Sequence, residues 1–350
     1  MKNKLINACK NPTRKFCFYT GQNNAEVGKT LGIRQWDWTP QPTANIEPYF
    51  WNTHTIALAF GCPVRYTSEG KEWIEPLITK PEQVYDMQVP AVSGGRSGEI
   101  LDLADNLLKT LPEDTLIRLP DIQSPLGVAE LLWDQSFYMA LLTNPDEIKL
   151  LLDKITRFII EYVKVFQELL GNRYNPACHP QLWSDPQGYY ISDDANAMVS
   201  PEMHYEFSVT YINRITEVCG PVFYHTCTLT DPYVENVKKV KNKKALNWSV
   251  GTSMDPARII ARFSGEVLLA PHLGKDIHKE EGIRKLQKNF TDEVAVFNYF
   301  LESMLENTAM HIVIHDSLLD DVEKMQRIYR LFRGHGYSPS FSSAFNPVIT

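Results

Sequence analysis

Short apolar runs alternate with longer amphipathic stretches through the last two thirds of the chain. From about residue 113, runs such as Leu116–Ile122, Pro221–Cys227 and Ala245–Val250 are apolar and bounded by turn residues, which is typical of buried strands. Between such runs, stretches such as Pro145–Leu170 carry apolar residues at helical spacing. Apolar strands separated by helices favour a parallel sheet that is covered on both faces.

The remaining predicted elements continue this alternation. Asn144 before Pro145 and Ser200 before Pro201 are typical helix starts, with a capping residue followed by proline at the first helical position. So many βα units in one chain predict an α/β fold, a (β/α)8 TIM-type barrel rather than a doubly wound sheet. The other predicted strands are Gly188–Ile191, Glu266–Pro271 and Met310–His315, and the other predicted helices are Pro125–Leu142, Pro201–Val218, Asp231–Lys241, Asp255–Phe263, Lys279–Leu305 and Ser317–Arg333.

Residues 1–112 differ from the rest in being rich in Pro, Trp and Tyr, with only short apolar runs. We expect an irregular N-terminal extension over 1–112 that packs on a barrel catalytic core over 113–350, the two forming one structural domain. Gly94–Gly98 is a glycine cluster without the residue order that cradles phosphate before a helix, and it is predicted to be a surface loop.

Composition excludes several classes of protein. The 350 residues are 43% hydrophobic and 22% charged, as in ordinary globular proteins, and the net charge of −7 argues against nucleic-acid binding. The basic run Lys238–Lys244 is predicted to be a solvated helix end, with docking of an acidic partner as the alternative. No C-x-x-C spacing, no signal-peptide pattern and no apolar stretch of about 18 residues is present, so we expect a cytoplasmic protein with reduced thiols and no membrane span.

The strongest candidate chemistry is the pair His225 and Cys227, at the end of a predicted strand. Residues i and i+2 of a strand face the same side, so an imidazole and a thiol meet at the barrel mouth, where active sites of this fold lie. Nitrogen and sulfur ligands suit Zn²⁺, although a strand-end His and Cys are also common packing residues. A third ligand is needed, and His315 is the first candidate, with Asp316 or His272 as alternatives.

Two further sets of residues are candidates for chemistry at the mouth. Asp193 and Asp194 are predicted to be catalytic, since adjacent carboxylates can raise each other's pKa and leave one as a proton donor; the alternative is a pair of solvated loop acids. Substrate-binding residues are predicted where a polar side chain leaves a strand toward the mouth and where an aromatic-rich connection could wall a flat ring. The alternative is a structural role in turns and connections. These residues are Gln123, His179, Trp183 and Tyr190.

Taken together, several segments resemble the uroporphyrinogen decarboxylase superfamily, and more closely its corrinoid-dependent methyltransferase branch. The segments are Ala57–Val64, Gln123–Ala129, Asp193–Phe207, Gly220–Cys227 and His311–His315. The resemblance implies a (β/α) barrel with an N-terminal extension. In the methyltransferase branch it implies a zinc site in which His225 and Cys227 match an H-x-C pair. The distant cysteine that often completes that site is missing, and Thr228 replaces the usual glycine.

The resemblance implies a zinc-dependent methyltransferase that exchanges a methyl group with a corrinoid. The chain is too short for a barrel plus a cobalamin domain, so the corrinoid is expected on a partner protein. Aromatic residues near the mouth and the missing cysteine favour the demethylating component, acting on a methoxylated aromatic compound. The alternatives are a methylcorrinoid:thiol methyltransferase, a metal-free decarboxylase, for which the arginine-rich N-terminal pattern is absent, and a non-catalytic partner of a corrinoid protein.

Overall fold

In the computed structural model, short strands alternate with helices along the chain. The structure describes residues 43–50, 52–70, 72–176, 178, 187–274, 276–284, 286, 288–310, 312 and 321–335. Its strands are β1 Thr43–Asn45, β2 Val64–Tyr66, β3 Glu72–Ile74, β4 Leu116–Arg118, β5 Tyr174–Asn175, β6 Tyr189–Ser192, β7 Val222–Thr226, β8 Lys243–Ser249 and β9 Leu268–His272.

All strands except the antiparallel β2–β3 hairpin pair in parallel. One sheet has the order β1-β4-β5 and the other β6-β7-β8-β9. A parallel bridge between Gln123 and Ser192 connects the two, and a second bridge adds Met310 beside Leu269 of β9. This order of parallel strands is that of a (β/α) barrel, as the sequence predicted, although no pairing among the described residues closes the ring between Met310 and β1.

Helices cover the outer face of these strands. The longest of them, α6 (Pro145–Leu170), has the bounds and the Asn144–Pro145 start that the sequence predicts, and Gly171 follows it with a positive φ of 50°. Its apolar stripe is buried, and each fully buried Leu, Ile or Phe contributes roughly 1.5–3 kcal/mol. The α-helices are α1 Thr55–Ala59, α2 Gln83–Asp86, α3 Gly95–Thr110, α4 Pro125–Leu132, α5 Phe137–Thr143, α6 Pro145–Leu170, α7 Pro201–His204, α8 Thr210–Cys219, α9 Asp231–Lys239, α10 Pro256–Phe263, α11 Glu293–Ser303 and α12 Val322–Gly334.

Two predicted helices are interrupted. The helix predicted over Pro125–Leu142 is divided into α4 and α5, because the Asp134 carboxylate accepts a hydrogen bond from the Ser136 amide and starts a new turn. The one predicted over Pro201–Val218 begins at the Ser200 cap, as predicted, and then passes through a π-helical turn at Tyr205–Val209.

Two other local predictions are wrong. The long helix predicted over Lys279–Leu305 is only α11, because Glu281 and Ile283 have positive φ and the Asp292 side chain caps a new start by accepting from the Ala295 amide. Gly94–Gly98 is not a loop, since α3 begins at Gly95. A Cβ at Gly98 would lie 2.3 Å from the Ser93 carbonyl oxygen, so the glycine permits close packing at the helix start.

The buried side chains form two clusters that separate the two faces of the strands. The larger cluster lies between strands and helices and includes Tyr189, Ile191, Val222 and Tyr224. The smaller, which we call the interior cluster, lies on the opposite face of the strands. It consists of Phe50, Cys178, Tyr190, Phe223, Ala245, Leu268 and Ala309. Successive strand residues therefore alternate between the outer core and the barrel interior. No helix of the described residues is long and apolar enough to cross a membrane.

Candidate active site

The alternation along β6 and β7 decides which polar side chains enter the barrel. Phe223 belongs to the interior cluster and Tyr224 to the outer one, so His225 and Cys227 face the interior, as the sequence predicts. On β6 the same alternation turns Ser192 inward, Asp193 outward and Asp194 inward. The two neighbouring aspartates therefore face different environments.

Asp194, His225 and Cys227 form a compact group. One ligand atom of each residue lies within 4.8 Å of the others, and this is the one group of its kind among the residues described. His225 Nε2 lies 3.4 Å from Cys227 Sγ and 3.7 Å from Asp194 Oδ1. Asp194 Oδ1 also accepts a hydrogen bond of 2.6 Å from the Cys227 amide, which holds the carboxylate over the strand end. Nitrogen, sulfur and oxygen donors thus converge on one point.

His225 is held in one orientation by its neighbours. Its Nδ1 is hydrogen-bonded to the Asn247 side-chain oxygen, and the Asn247 amide donates to the Ala270 carbonyl on the next strand. The ring stacks on Tyr190 with centroids 6.3 Å apart. Because an amide oxygen can only accept, Nδ1 carries the proton and Nε2 presents a lone pair to Cys227 and Asp194.

The Cys227 thiol is protonated in this arrangement. Burial, and after it the neighbouring Asp194 carboxylate, raise its pKa to about 12. A cation bound by the three side chains would reverse that effect, because a coordinating thiol loses its proton. Without a bound cation the Cys227 thiol therefore keeps its proton, and a bound cation would favour the thiolate.

The Asp193 carboxylate is buried and hydrogen-bonded rather than solvated. It accepts from Ser208 Oγ at 2.7 Å and Tyr224 OH at 2.8 Å, and it lies 2.8 Å from His204 Nε2. Burial alone would raise its pKa, but His204 and the hydrogen bonds outweigh burial and lower the pKa below its usual value. These contacts join β6 to β7 and to α7, and they favour the ionised carboxylate over a proton donor.

Asp121 is an acid that the sequence did not single out as catalytic. It accepts from Ser192 Oγ at 2.8 Å and from Gln123 Nε2 at 3.4 Å, on the inner side of the bridge between the two sheets. Burial raises its pKa to about 6, although His225 and its hydrogen bonds act to lower it. Its position two residues before Gln123, at the end of a strand, is the one signal in the sequence that could have identified it.

The other predicted site residues are distributed as follows. Gln123 is buried and orients Asp121, and Tyr190 is buried behind His225 with its hydroxyl 2.8 Å from Ser192 Oγ. His272 ends β9 and is exposed, outside the group formed by Asp194, His225 and Cys227. The remaining predictions concern residues outside the described part of the chain, namely His179, Trp183, His315 and Asp316.

Comparison with known proteins identifies the kind of fold on which this site lies. Residues 46–171 match the model of the uroporphyrinogen decarboxylase (URO-D) family. The predicted resemblance to the uroporphyrinogen decarboxylase superfamily is confirmed. Among solved structures, a methyltransferase from Methanosarcina mazei is similar over 95% of this chain and 97% of its own, with a TM-score of 0.58 and 13% sequence identity. No curated protein sequence matches.

These similarities establish the fold of the superfamily. The family match covers Asp121 and Gln123, and the structural similarity covers 95% of the chain. The TIM-type barrel predicted from the alternation of strands and helices is therefore confirmed. In uroporphyrinogen decarboxylase-like barrels, as in other (β/α) barrels, the carboxyl ends of the strands form the active-site face, which is where Asp194, His225 and Cys227 lie.

Proposed function

We propose that this protein is a zinc-dependent methyltransferase that moves a methyl group from a methoxylated aromatic compound to the corrinoid of a separate protein. The observation that carries the proposal is the convergence of Asp194, His225 and Cys227 on one point at the strand ends. A protein of the same fold is named a methyltransferase, which supports this class of reaction.

The three side chains fit Zn²⁺ by their chemistry. Tetrahedral zinc takes imidazole, thiolate and carboxylate ligands, and a catalytic site has three protein ligands and one open position. Asn247 fixes the proton of His225 on Nδ1, so Nε2 is the ligand atom, as is usual for a metal-bound histidine with an oriented neighbour. Asp194 replaces the distant cysteine that the sequence lacks. The alternative third ligands His315, Asp316 and His272 remain predictions.

The bound metal would act as a Lewis acid on the ether oxygen of the substrate. In the transfer, the bond between oxygen and the methyl carbon breaks, the methyl group passes to the reduced corrinoid cobalt, and the electron pair stays on oxygen. That oxygen needs a proton, and we assign its donation to Asp121, because burial raises the pKa of this carboxyl to about 6. Ser192 and Gln123 hold the Asp121 carboxyl in place.

The partner follows from the chemistry of the proposal. The proposed reaction needs a reduced corrinoid as methyl acceptor, and we propose that a separate corrinoid protein supplies it as co-substrate, in the cytoplasm. Transfer from methylcorrinoid to a thiol would use the same metal group in the opposite direction. A decarboxylase would release carbon dioxide and need no metal.

The experiment compares metal content and methyl transfer in the wild type, Cys227→Ser and Cys219→Ser. Cys219 is a matched control, because it is also an unpaired thiol whose pKa burial raises to about 12, but it lies in the outer core. We expect about one zinc per chain and demethylation of methoxylated aromatic compounds in the wild type and Cys219→Ser, and loss of both in Cys227→Ser. Carbon dioxide release that survives chelation would replace the proposal by the decarboxylase.

A further inference from the structure

A second polar group lies inside the barrel, on the half formed by β1, β4 and β5. Arg118 of β4 is in register with Asn45 of β1 on one side and Asn175 of β5 on the other. Residues in register on parallel strands face the same side, and the preceding Ile117 belongs to the outer core. The guanidinium therefore faces the interior, where its Cζ lies 5.1 Å from the centre of the Phe50 ring.

This guanidinium is buried without a hydrogen-bonding or ion-pairing partner among the described residues. Arg118 is 6% exposed, and its Nε has no hydrogen-bond acceptor. The neighbouring Asn45 Oδ1 is also buried and without a donor. Glu47 and Cys178 act on Arg118 only through space, and both effects are smaller than that of burial.

Lys154 shows how the same chain satisfies a buried cation. Its Nζ donates to the carbonyl oxygens of Val84, Tyr85 and Met87 at 2.6, 3.2 and 2.5 Å. Arg118 has no comparable set of acceptors in the described structure, and burial lowers its pKa to about 10. Burying such a charge costs free energy unless an opposite charge compensates it. The arrangement therefore favours binding of an anion in this half of the barrel.

We propose that Arg118 binds a carboxylate carried by the substrate. The guanidinium fork matches a carboxylate with two parallel hydrogen bonds. Phe50 under the guanidinium and Tyr190 under His225 belong to the same interior cluster, so aromatic side chains link the cation to the metal group. This inference rests on the proposed function, and it narrows the substrate to methoxylated aromatic acids rather than neutral aromatic ethers.

The first test uses benzoate as the probe, because it has the carboxylate and the ring but no methyl group. Titration calorimetry compares benzoate, uncharged benzamide and inorganic phosphate on the wild type, Arg118→Met and Arg118→Lys. We expect benzoate to bind more tightly than the other two, and Arg118→Met to weaken it by at least about tenfold. Arg118→Lys retains the charge without the fork and is expected to lie between.

Three results would overturn the inference. They are equal binding of benzoate to the wild type and Arg118→Met, no binding of benzoate to the wild type, and binding of phosphate as tight as that of benzoate. In Cys227→Ser we expect benzoate binding to persist while zinc is lost. Failure of metal binding or methyl transfer is thus distinguishable from failure of the carboxylate site.

Thermal unfolding of the ligand-free protein provides the second test. Replacing Arg118 by methionine removes an uncompensated buried charge, so we expect the Tm to stay the same or to rise. Lys154→Met is the matched control, and its Tm should fall because three carbonyl groups lose their donor. A similar fall for Arg118→Met would mean that Arg118 already has a partner, and the inference would be wrong.

Discussion

His225 and Asn247, on neighbouring strands β7 and β8, are paired in register and joined by a hydrogen bond from the imidazole Nδ1 to the amide oxygen. The bond fixes the histidine tautomer before any metal arrives, so that Nε2 faces Cys227 Sγ at 3.4 Å. Asn247 is in turn fixed by donation to the Ala270 carbonyl. The orientation of the proposed ligand therefore depends on three adjacent strands rather than on His225 alone.

Removing this support should weaken the metal site. We expect Asn247→Ala to lower zinc affinity by about 10- to 100-fold, as is usual when the hydrogen-bond partner of a metal-bound histidine is lost. Competition with a chromophoric chelator measures the change. Asn213→Ala is a control, since Asn213 is an asparagine that bonds the Lys239 carbonyl on the outside of the barrel. Equal zinc affinity in Asn247→Ala and the wild type would contradict the proposed role.

Zinc binding should strengthen as pH rises. Burial and Asp194 raise the pKa of the Cys227 thiol to about 12, so at neutral pH the thiol must release its proton when the metal binds. Since one proton is released per zinc well below that pKa, the apparent affinity should rise by about tenfold per pH unit near neutral pH. Cys219→Ser, which lacks a thiol of the outer core, should keep this slope. A pH-independent affinity in the wild type would exclude Cys227 as a ligand.

The Asp193 network should stabilise the fold in a pH-dependent manner. The pKa of Asp193 is lower in the folded protein, so its contribution to stability is present above the unfolded pKa of about 3.9 and is lost as pH falls through the folded value. Asp193→Asn should lower the free energy of unfolding by roughly 2–4 kcal/mol at pH 7, because it leaves the buried His204 and two hydroxyl donors without the charge. Urea denaturation at pH 7 and at pH 3 measures this, and the difference between variant and wild type should be smaller at pH 3. Asp86→Asn, at an exposed position, serves as the control.

The parts of the fold that the sequence predicts correctly are those set by local signals. Asn144 and Pro145 place the start of α6 at the correct residue, because capping and proline geometry act within one turn. The helix predicted from Lys279 failed for the opposite reason. Gly282 has a positive φ and approaches the Lys288 carbonyl so closely that a Cβ would lie 2.2 Å from its oxygen, a contact set by the folded loop rather than by apolar spacing.

The same distinction between local signals and contacts set by the fold applies to the residues of the candidate site. His225 and Cys227 lie two residues apart on one strand, so their convergence follows from local geometry and is visible in the sequence. Asp194 joins them only because β6 pairs with β7 in the register that places Ser192 beside His225. Sequence reasoning treated Asp193 and Asp194 as equivalent, and the strand end separates them into a buried structural carboxylate and a candidate ligand. Arg118 and Asp121 likewise become candidates only because they are buried, and composition does not reveal burial.

Asp121 should act as the proton donor of the proposed reaction. We expect Asp121→Asn to reduce the rate of demethylation by about 10²- to 10⁴-fold with unchanged zinc content, because the amide preserves the shape of the carboxyl but supplies no acidic proton. In the wild type the acid form is lost as pH rises through about 6, so the rate should fall above that pH. Single-turnover demethylation across the pH range measures both effects.

Asp134→Asn provides a control on the surface, where the carboxylate caps a turn. A rate in Asp121→Asn that matches the wild type and keeps the same pH profile would assign the proton to another group, and loss of zinc in this variant would instead mean that Asp121 supports the metal site.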